Sequence, residues 1–125
     1  MAEVFEVRAV VKHVAMSPQK VRLVVDVVRG LNAQVALNTL RFMPHRAAEP
    51  VFKLIQSAVA NAEQNFGLDV DELFVSRIYA NEGPRNSLRP YGGRFGGRGR
   101  FKPVVRRTSH ITVVLAEHTP VDFGA

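Results

Sequence analysis

The chain has 125 residues and a hydrophobic fraction of 46%, which suits one domain with its own core and excludes two independent domains or wholesale disorder. It contains no cysteine, which excludes disulfides, thiolate metal sites and thiol nucleophiles. Its formal net charge of +6 indicates a polyanionic partner such as nucleic acid or, less often, an acidic membrane surface. The longest apolar run, residues 111–116 broken only by Thr112, is far shorter than the roughly 20 residues that span a bilayer, and Met1–Glu6 lacks the basic region of a signal peptide. We therefore expect an intracellular, soluble protein.

The positive charge is concentrated in one segment. Residues 77–110 hold nine basic side chains and one acidic side chain, so this segment carries +8 and the remainder of the chain carries −2. The same segment contains six of the nine glycines, and it has few large apolar residues between Asn81 and Arg107. A stretch of this composition cannot stabilise itself by burying apolar surface, so its order has to come from a partner.

The first part of the chain predicts one strand and two helices. Residues 4–13 alternate between apolar and polar side chains with the period of a half-buried strand. Ser17 and Pro18 then supply an N-cap and a proline at the first helical position, and valines follow at helical spacing until Gly30. Asn32 caps a second helix, whose apolar side consists of alanines and leucines.

A third helix has the clearest pattern in the sequence. From Val51 to Ala62, apolar residues recur at i, i+3, i+4, i+7, i+8 and i+11, opposite a polar face. Pro50 must lie in the first turn of this helix or kink it, because an interior proline loses a hydrogen bond and clashes with the preceding turn. Gly67 closes the helix.

Two further strands are predicted on either side of the basic segment. The runs Leu73–Ala80 and Thr108–Glu117 are rich in β-branched and aromatic residues and largely alternate polar with apolar side chains. The simplest connection between them is an extended hairpin over residues 81–107, here called the arm. With roughly 14 residues each way at about 3.3 Å per residue, its tip would lie on the order of 45 Å from its root. The body should be about 30 Å across, so the arm overshoots its own domain.

The residue types of the arm indicate RNA as the partner. Arginines suit phosphates, glycines allow close backbone approach, and Tyr91, Phe95 and Phe101 suit stacking on bases. The segment has no basic amphipathic helix, which disfavours a membrane surface. A disordered arginine-glycine tail of a single-strand RNA binder has a similar composition, but the position of this segment between two strands, which tie down both of its ends, argues against that alternative.

Signals for catalysis or for a cofactor are weak. The four histidines have no metal-ligand spacing, and the acidic turn of Asp69, Asp71 and Glu72 is more often a solvated loop than a magnesium site. The glycines at positions 93, 96 and 99 are not followed by the Lys-Ser/Thr of a phosphate loop. Without a catalytic constellation, we predict no enzymatic activity, no metal and no cofactor.

Four blocks of sequence resemble a known family. They are Ser17–Gly30, Ser57–Asn65, Glu82–Pro84 and Arg106–Val114, which occur in the order and at the spacing of ribosomal protein L twenty-two of the bacterial type. The resemblance covers nearly the whole chain. It implies a large-subunit ribosomal protein of α+β fold, with three helices packed on a small three-stranded antiparallel sheet and a long protruding basic β-hairpin. It also implies that the hairpin threads through rRNA and that its tip lines the nascent-peptide exit tunnel.

The resemblance also implies how the chain is divided and which residues contact RNA. Residues 1–80 and 108–119 would form the body, 81–107 the arm and 120–125 a C-terminal tail. The first-helix block, the arm-base motif and the basic residues along the arm give the predicted RNA-binding set: Lys20, Arg22, Arg77, Arg85, Arg89, Arg94, Arg98, Gly99, Arg100, Lys102, Arg106, Arg107, Thr108, Ser109 and His110. The predicted tunnel-lining tip comprises Arg85, Leu88, Arg89, Pro90, Tyr91, Arg94 and Phe95.

The distal arm departs from the family pattern. Residues 91–98 read Tyr-Gly-Gly-Arg-Phe-Gly-Gly-Arg where the family usually has a shorter Pro-Arg-Ala-rich stretch, so we expect an arm a few residues longer.

These features predict a structural constituent of the large ribosomal subunit that binds 23S-type rRNA, supports assembly and reaches the exit tunnel with its arm. The expected partners are large-subunit rRNA, neighbouring ribosomal proteins and the nascent peptide, with no membrane partner and no homo-oligomer. The expected location is the cytoplasmic ribosome, with an organelle ribosome left open. The alternatives are a free RNA chaperone of the arginine-glycine kind and an acidic-site hydrolase.

Overall fold

The computed structural model describes residues 6–87, 93–95, 97–99, 101–103 and 105–117, and within these ranges three α-helices and three long strands form the body. Four short strands and a 3-10 turn, Gly97–Gly99, lie in the described part of the arm, and another 3-10 turn, Val70–Glu72, lies in the body just before Leu73. In chain order the helices and strands are β1 (Glu6–Val14), α1 (Pro18–Val28), α2 (Ala33–Arg41), α3 (Ala48–Phe66), β2 (Leu73–Glu82), β3 (Asn86–Ser87), β4 (Gly93–Phe95), β5 (Phe101–Pro103), β6 (Val105–Arg106) and β7 (Ser109–Glu117).

Local sequence signals set the beginnings of the first two helices. Pro18 is the first residue of α1, as predicted, but the side chain of Ser17 makes no capping hydrogen bond. The Ser17 carbonyl accepts from the backbone N–H of Val21 at 3.2 Å, so the backbone alone starts this helix. Asn32 caps α2 as predicted, because its Oδ1 accepts from the backbone N–H of Gln34 at 3.0 Å.

The proline and the glycine at the two ends of α3 take the positions that their backbone chemistry requires. Pro50 lies in the first turn, where its missing N–H would have no helical acceptor, so the helix continues through it for 19 residues. Gly67 ends the helix at a φ of 63°, a left-handed conformation that favours glycine. Its N–H donates to the carbonyl of Glu63 at 3.1 Å.

The three long strands form an antiparallel sheet in the order β1-β7-β2. The last strand along the chain thus occupies the middle, and the two strands beside it do not pair with each other. Ile111, Val113 and Leu115 of β7 belong to the core beneath the helices, and Thr112 and Val114 on the other face are also buried, at 4% and 5% exposure. The predicted α+β fold of three helices on a three-stranded antiparallel sheet with a basic hairpin is confirmed.

The core lies between the helices and one face of the sheet. The periodic residues predicted for α3 are all buried, and they are Val51, Leu54, Ile55, Ala58, Val59 and Ala62. The buried valines of α1 are Val21, Val24, Val25 and Val28. Valine alone favours a strand, so the terminal signals and the helical spacing decide the conformation here. None of the helices in the described ranges is both long enough and apolar enough to cross a membrane.

The connection between α1 and α2 covers part of the outer edge of β2. An edge strand leaves N–H and C=O groups that need partners outside the sheet. The N–H of Gly30 donates to the carbonyl of Val75 at 3.0 Å, and the N–H of Val75 donates to the carbonyl of Leu31 at 2.8 Å. This connection therefore pairs with the edge of β2 as a short fourth strand would.

Two arginines bond to further carbonyls along that edge. The Nε of Arg22 donates to the carbonyl of Ala80 at 3.1 Å, and the Nη2 of Arg29 donates to the carbonyl of Ile78 at 3.0 Å. Each guanidinium satisfies a carbonyl that the sheet itself leaves unpaired. The predicted RNA-binding residue Arg22 therefore has a structural bond to β2.

The described strands of the arm pair as a hairpin, with β3 antiparallel to β6 and β4 antiparallel to β5. The chain reverses between Phe95 and Phe101, which is later than the range 85–95 that we predicted for the tip. Arg85 instead lies close to the sheet, where its guanidinium is 3.5 Å from the carboxylate of Glu82. The reversal comes later than predicted because the outgoing limb is longer: five residues separate β3 from β4, whereas one separates β5 from β6.

The end of the sheet away from the arm is acidic. Glu72 shares a hydrogen bond with Glu117, which raises the pKa of the Glu72 carboxyl, and desolvation and the negative charges of Glu117, Asp69 and Asp71 raise it further. Because the folded state favours the protonated form, the contribution of Glu72 to stability is present at low pH and is lost as the pH rises through its raised pKa. Among the described residues, no group of three or more side chains is arranged to hold a metal ion.

Truncation of the core residue Ile55 tests this packing. Ile55 is fully buried at 0% exposure, so Ile55→Ala should lower the free energy of unfolding by about 2 to 5 kcal/mol, because it removes apolar contacts and leaves a cavity. Val27 is 48% exposed on α1, so Val27→Ala should change stability little. Urea denaturation followed by far-ultraviolet circular dichroism measures both. Equal midpoints for the two variants would contradict the placement of Ile55 in the core.

Candidate nucleic-acid interface

The arm leaves the body through a tightly packed root. Sheet pairing ends at Glu82 and Ser109. Just beyond it, the N–H of Gly83 donates to the carbonyl of Thr108 at 2.9 Å, and the hydroxyl of Thr108 donates to the carbonyl of Pro84 at 2.6 Å. Thr108 and Ser109 are buried, at 5% and 0% exposure. These bonds hold the two limbs of the arm together where they leave the sheet.

Close approach requires glycine at position 83. A Cβ on Gly83 would lie 2.5 Å from Oγ1 of Thr108 and 3.1 Å from Cε1 of His110. The Thr108 hydroxyl cannot move aside without losing its hydrogen bond to Pro84, and the Thr108 backbone carbon is only 3.2 Å from the same point. The root therefore has no space for any larger residue.

His110 connects this root to β1. The backbone N–H of His13 donates to Nδ1 of His110 at 3.1 Å, and the two rings meet edge to face with centroids 5.0 Å apart. Since Nδ1 accepts, the neutral His110 ring carries its proton on Nε2. His13 has a φ of 60° at an irregularity in the β1–β7 register, which turns its N–H toward the ring. His110 is therefore a structural link whose Nε2 remains a donor.

A groove of about 590 Å³ lies beside the root. Its lining comes from four separate segments: the β1–α1 turn, the first half of α1, the α2–α3 connection and the returning limb of the arm. The lining residues are Ala15, Met16, Ser17, Lys20, Leu23, His45, Arg46, Ala47, Arg106 and Arg107.

Four cations line this groove and no carboxylate does, the cations being Lys20, Arg46, Arg106 and Arg107. Within the described residues, none of the four makes an ion pair, and none makes a hydrogen bond through its side chain. The N-terminal end of α1, which borders the groove at Ser17, adds a partial positive charge. Such a surface suits a chain of regularly spaced negative charges, as in a nucleic-acid backbone.

The predicted RNA-binding residues of the body and of the arm root divide between this groove and other places. Lys20, Arg106 and Arg107 line the groove. Arg22 covers the edge of β2, and Arg77 pairs with a carboxylate on the solvent face of the sheet. The structure thus brings together residues from α1 and from the arm that are more than eighty positions apart in the sequence.

In the arm, the structure describes only some of the predicted residues. Arg98 is exposed in the turn between β4 and β5, at a φ of 64°. The backbone of four others belongs to the described strands or turn, and these are Arg94, Phe95, Gly99 and Lys102. The remaining predicted positions lie outside the described residues, and these are Leu88, Arg89, Pro90, Tyr91 and Arg100.

The sequence pattern did not single out His45 and Arg46. Both follow Pro44 in the connection between α2 and α3, and both are exposed. Their only signal in the sequence is the adjacency of two basic side chains in a predicted loop. They become candidate RNA contacts only in the folded protein, where Arg106 and Arg107 line the same groove although they are distant in the sequence.

The fold and the groove define a class of protein: a small α+β protein with a basic hairpin and a cationic surface suited to nucleic acid. Comparison with known proteins then specifies the family. The family model described as ribosomal protein L22p/L17e matches residues 9–116. The chain therefore belongs to the ribosomal protein L22p/L17e family, which confirms the resemblance noted from its sequence blocks.

Similar relatives carry the name large ribosomal subunit protein uL22. The protein of Clostridium novyi (strain NT) is 47% identical and aligns over 90% of this chain and 97% of its own length. The protein of Thermomicrobium roseum is 50% identical, over 90% and 92% respectively, and that of Desulfitobacterium hafniense (strain Y51) is 47% identical, over 90% and 95%. Membership of this family of structural ribosomal components confirms the prediction of a ribosomal protein without enzymatic activity.

Enlarging Gly83 tests the packing of the arm root. Gly83→Ala places a methyl group against Thr108 and His110, so it should lower the free energy of unfolding by about 1 to 3 kcal/mol, as overpacking does in cores. At Gly97 a Cβ would meet nothing within 4 Å, so Gly97→Ala serves as the matched control and should leave stability unchanged. Urea denaturation compares the two variants. A Gly83→Ala protein as stable as the control would refute the close contact.

Proposed function

We propose that this ribosomal protein binds large-subunit, 23S-type rRNA through the groove and the arm together. The observation that carries the proposal is the convergence of Lys20, Arg46, Arg106 and Arg107 on one groove whose lining has no acidic side chain. Cations that line one groove without a counter-charge repel one another, and an anion between them relieves that repulsion. The phosphates of an RNA backbone supply such anions at regular spacing.

The lining gives each part of a nucleotide a partner. The guanidinium groups of Arg46, Arg106 and Arg107 can each bind a phosphate through two hydrogen bonds, whereas Lys20 acts as a point charge. Met16 and Leu23 add apolar surface to the lining, and Leu23 is 63% exposed in the free protein. A ribose or base seated in the groove would cover this apolar surface. Thr108 and Ser109 are left out of the proposed contacts because they are buried.

The arm continues the same contact. Its returning limb enters the groove at Arg106 and Arg107, so RNA bound there is followed directly by the basic, glycine-rich segment. Binding along both limbs would tie separate segments of rRNA together, which is how a structural component supports assembly. We propose that other ribosomal proteins adjoin the body outside these RNA contacts.

We propose that the segment around the chain reversal reaches the nascent-peptide exit tunnel, with Arg94 and Phe95 of the predicted tip at its start. The reversal between Phe95 and Phe101 supports this assignment, because the tip of a hairpin lies farthest from its root. Arg98 is exposed in that turn and is available to a nascent peptide or to rRNA. Arg85 is assigned to the root, beside Glu82.

Co-sedimentation tests the ribosomal assignment of this chain against the alternative of a free RNA chaperone. A stably assembled component should migrate with large subunits in a sucrose gradient at high salt, at one copy per particle, because many phosphate contacts and threaded chain resist dissociation. A chaperone of the arginine-glycine kind should dissociate from many RNAs as salt rises. Recovery of the chain only at the top of the gradient would exclude the assembled role.

The salt dependence of binding tests the groove. Arg106→Gln with Arg107→Gln should reduce the slope of log affinity against log salt by about 0.7 to 0.9 for each phosphate that the protein no longer neutralises. The matched control is Arg41→Gln with Lys53→Gln, which removes the same charge from exposed positions outside the groove and should leave the slope unchanged. Binding to a large-subunit rRNA transcript is measured at several salt concentrations. Identical slopes for the two double variants would remove the groove from the interface.

A further inference from the structure

The solvent face of the sheet holds a second, smaller hollow. Its volume is about 260 Å³, and its lining residues are Glu6, Arg8, Arg77, Tyr79 and Val114. None of these residues lines the groove at the arm root. The hollow is therefore a separate surface, on the side of the sheet opposite the helices.

The strand register builds this hollow from two rows of residues across the three strands. The rows are Arg8–Val114–Arg77 and Val10–Thr112–Tyr79, each read from β1 through β7 to β2. The middle residues, Thr112 and Val114, are almost fully buried, whereas the flanking residues Val10 and Tyr79 are 41% and 37% exposed. The floor is thus small and closed, and its walls are two cations, one carboxylate and an aromatic ring, with the apolar Val10 in the neighbouring row.

The two cations of this face are available to a ligand. Arg8 makes no hydrogen bond or ion pair through its side chain with any residue that the structure describes. Arg77 pairs with Glu6 at 3.2 Å, but both side chains are exposed, at 63% and 43%, and such surface pairs contribute little to stability. A phosphate between Arg8 and Arg77 would replace the single carboxylate contact with charge-assisted bonds from two guanidinium groups.

We infer that this face is a second RNA-contact surface, which takes an unpaired nucleotide with its phosphate between Arg8 and Arg77 and its base on the ring of Tyr79. An antiparallel sheet face with an exposed aromatic ring is a stacking platform, since bases splayed out of a single strand lie flat on such rings. Val10 extends the apolar surface opposite Tyr79. The inference rests on the proposed function in one respect: RNA is taken to be the partner of the body.

The composition of the hollow favours RNA over an acidic protein segment. Charge complementarity with Arg8 and Arg77 would suit both ligands. The flat ring of Tyr79 directly beside the two cations suits a nucleotide, in which a planar base is attached close to a phosphate. An acidic peptide has carboxylates but no planar group at that spacing, so it would leave the ring uncovered.

Tyrosine fluorescence tests this surface directly. The chain has two tyrosines and no tryptophan, so in the full-length Tyr91→Phe protein Tyr79 is the sole tyrosine reporter. A short oligouridine should quench its emission, after correction for absorption by the oligonucleotide, because a stacked base contacts the ring. Arg8→Gln with Arg77→Gln should abolish the quenching at the same oligonucleotide concentration, whereas Glu6→Gln should strengthen it by freeing Arg77. The control pair Arg41→Gln with Lys53→Gln should leave it unchanged.

Affinity measured with a labelled oligouridine adds a second readout, independent of the fluorophore. Tyr79→Ser should weaken binding by about fivefold or more, the loss expected for one stacked base, whereas Tyr79→Phe should retain it. Far-ultraviolet circular dichroism checks that each variant is folded. Equal affinity of the serine and phenylalanine variants would overturn the stacking role of Tyr79.

The outcomes separate this inference from the proposed function. If oligouridine leaves Tyr79 emission unchanged while the same protein binds the large-subunit rRNA transcript, the sheet face is not an RNA platform and the groove proposal stands. Quenching by polyglutamate as strong as by oligouridine would indicate an acidic protein partner and would also overturn the inference. Failure to bind either RNA would remove the proposed function together with the inference.

Discussion

The returning limb of the arm becomes the central strand of the sheet, and the rest of the structure depends on that connection. β7 pairs with a strand on each side, and its residues are buried on both faces. Its first residue therefore cannot shift without breaking two ladders of hydrogen bonds. Because only Thr108 separates Arg106 and Arg107 from this strand, a strand paired on both sides positions the cations that enter the groove.

Arginine has two distinct uses in this small protein. Arg22 and Arg29 donate to carbonyls at the edge of β2, and their bonds replace a neighbouring strand. Arg46, Arg106 and Arg107 lie at the groove without a counter-ion among the described residues. A protein of the same net charge with all of these guanidinium groups paired internally would have no surface prepared for a polyanion. An arginine is fully available to a ligand only when no carbonyl or carboxylate of the protein lies within reach of its guanidinium group.

The distribution of charge also orients the body. The acidic turn before β2 and Glu117 lie at one end of the sheet, and the arm with its excess of basic residues leaves from the other. In the field of a large polyanion this asymmetry favours approach with the arm leading. The negative charges of Glu117, Asp69 and Asp71, which help to raise the pKa of Glu72, would also repel that polyanion.

Local structure was predictable because its causes are local. Asn32 has the side chain that an N-cap needs, Pro50 tolerates only the first turn of α3, and the apolar spacing from Val51 onward allows one helical face. The structural use of Arg22 was not predictable, because it follows from β2 being an edge strand, and strand order is set by packing of the whole chain. The groove was predicted only in part for the same reason: Arg46 meets Arg106 through the fold, with no pattern in the sequence linking them.

The position of the hairpin reversal could not be predicted from the sequence, for a different reason. An estimate from the sequence assumes limbs of similar length, but the outgoing limb has five residues between its strands where the returning limb has one. A glycine-rich sequence does not specify which limb of the hairpin contains the additional residues, because glycine adopts many backbone conformations at little cost. Pairing between the limbs, rather than any single residue, therefore determines which residues form the turn.

The central position of β7 has a consequence for how the molecule is made. On a chain synthesised from its N-terminus, β1 and β2 emerge first, and each remains an open edge until the strand that lies between them is complete. The whole arm must be synthesised before that strand, and its length adds to the entropy lost when β2 meets β7. RNA that holds the two limbs together would shorten this search. Under the proposed function, rRNA would thus speed the closure of the sheet around β7 as the protein is incorporated into the particle.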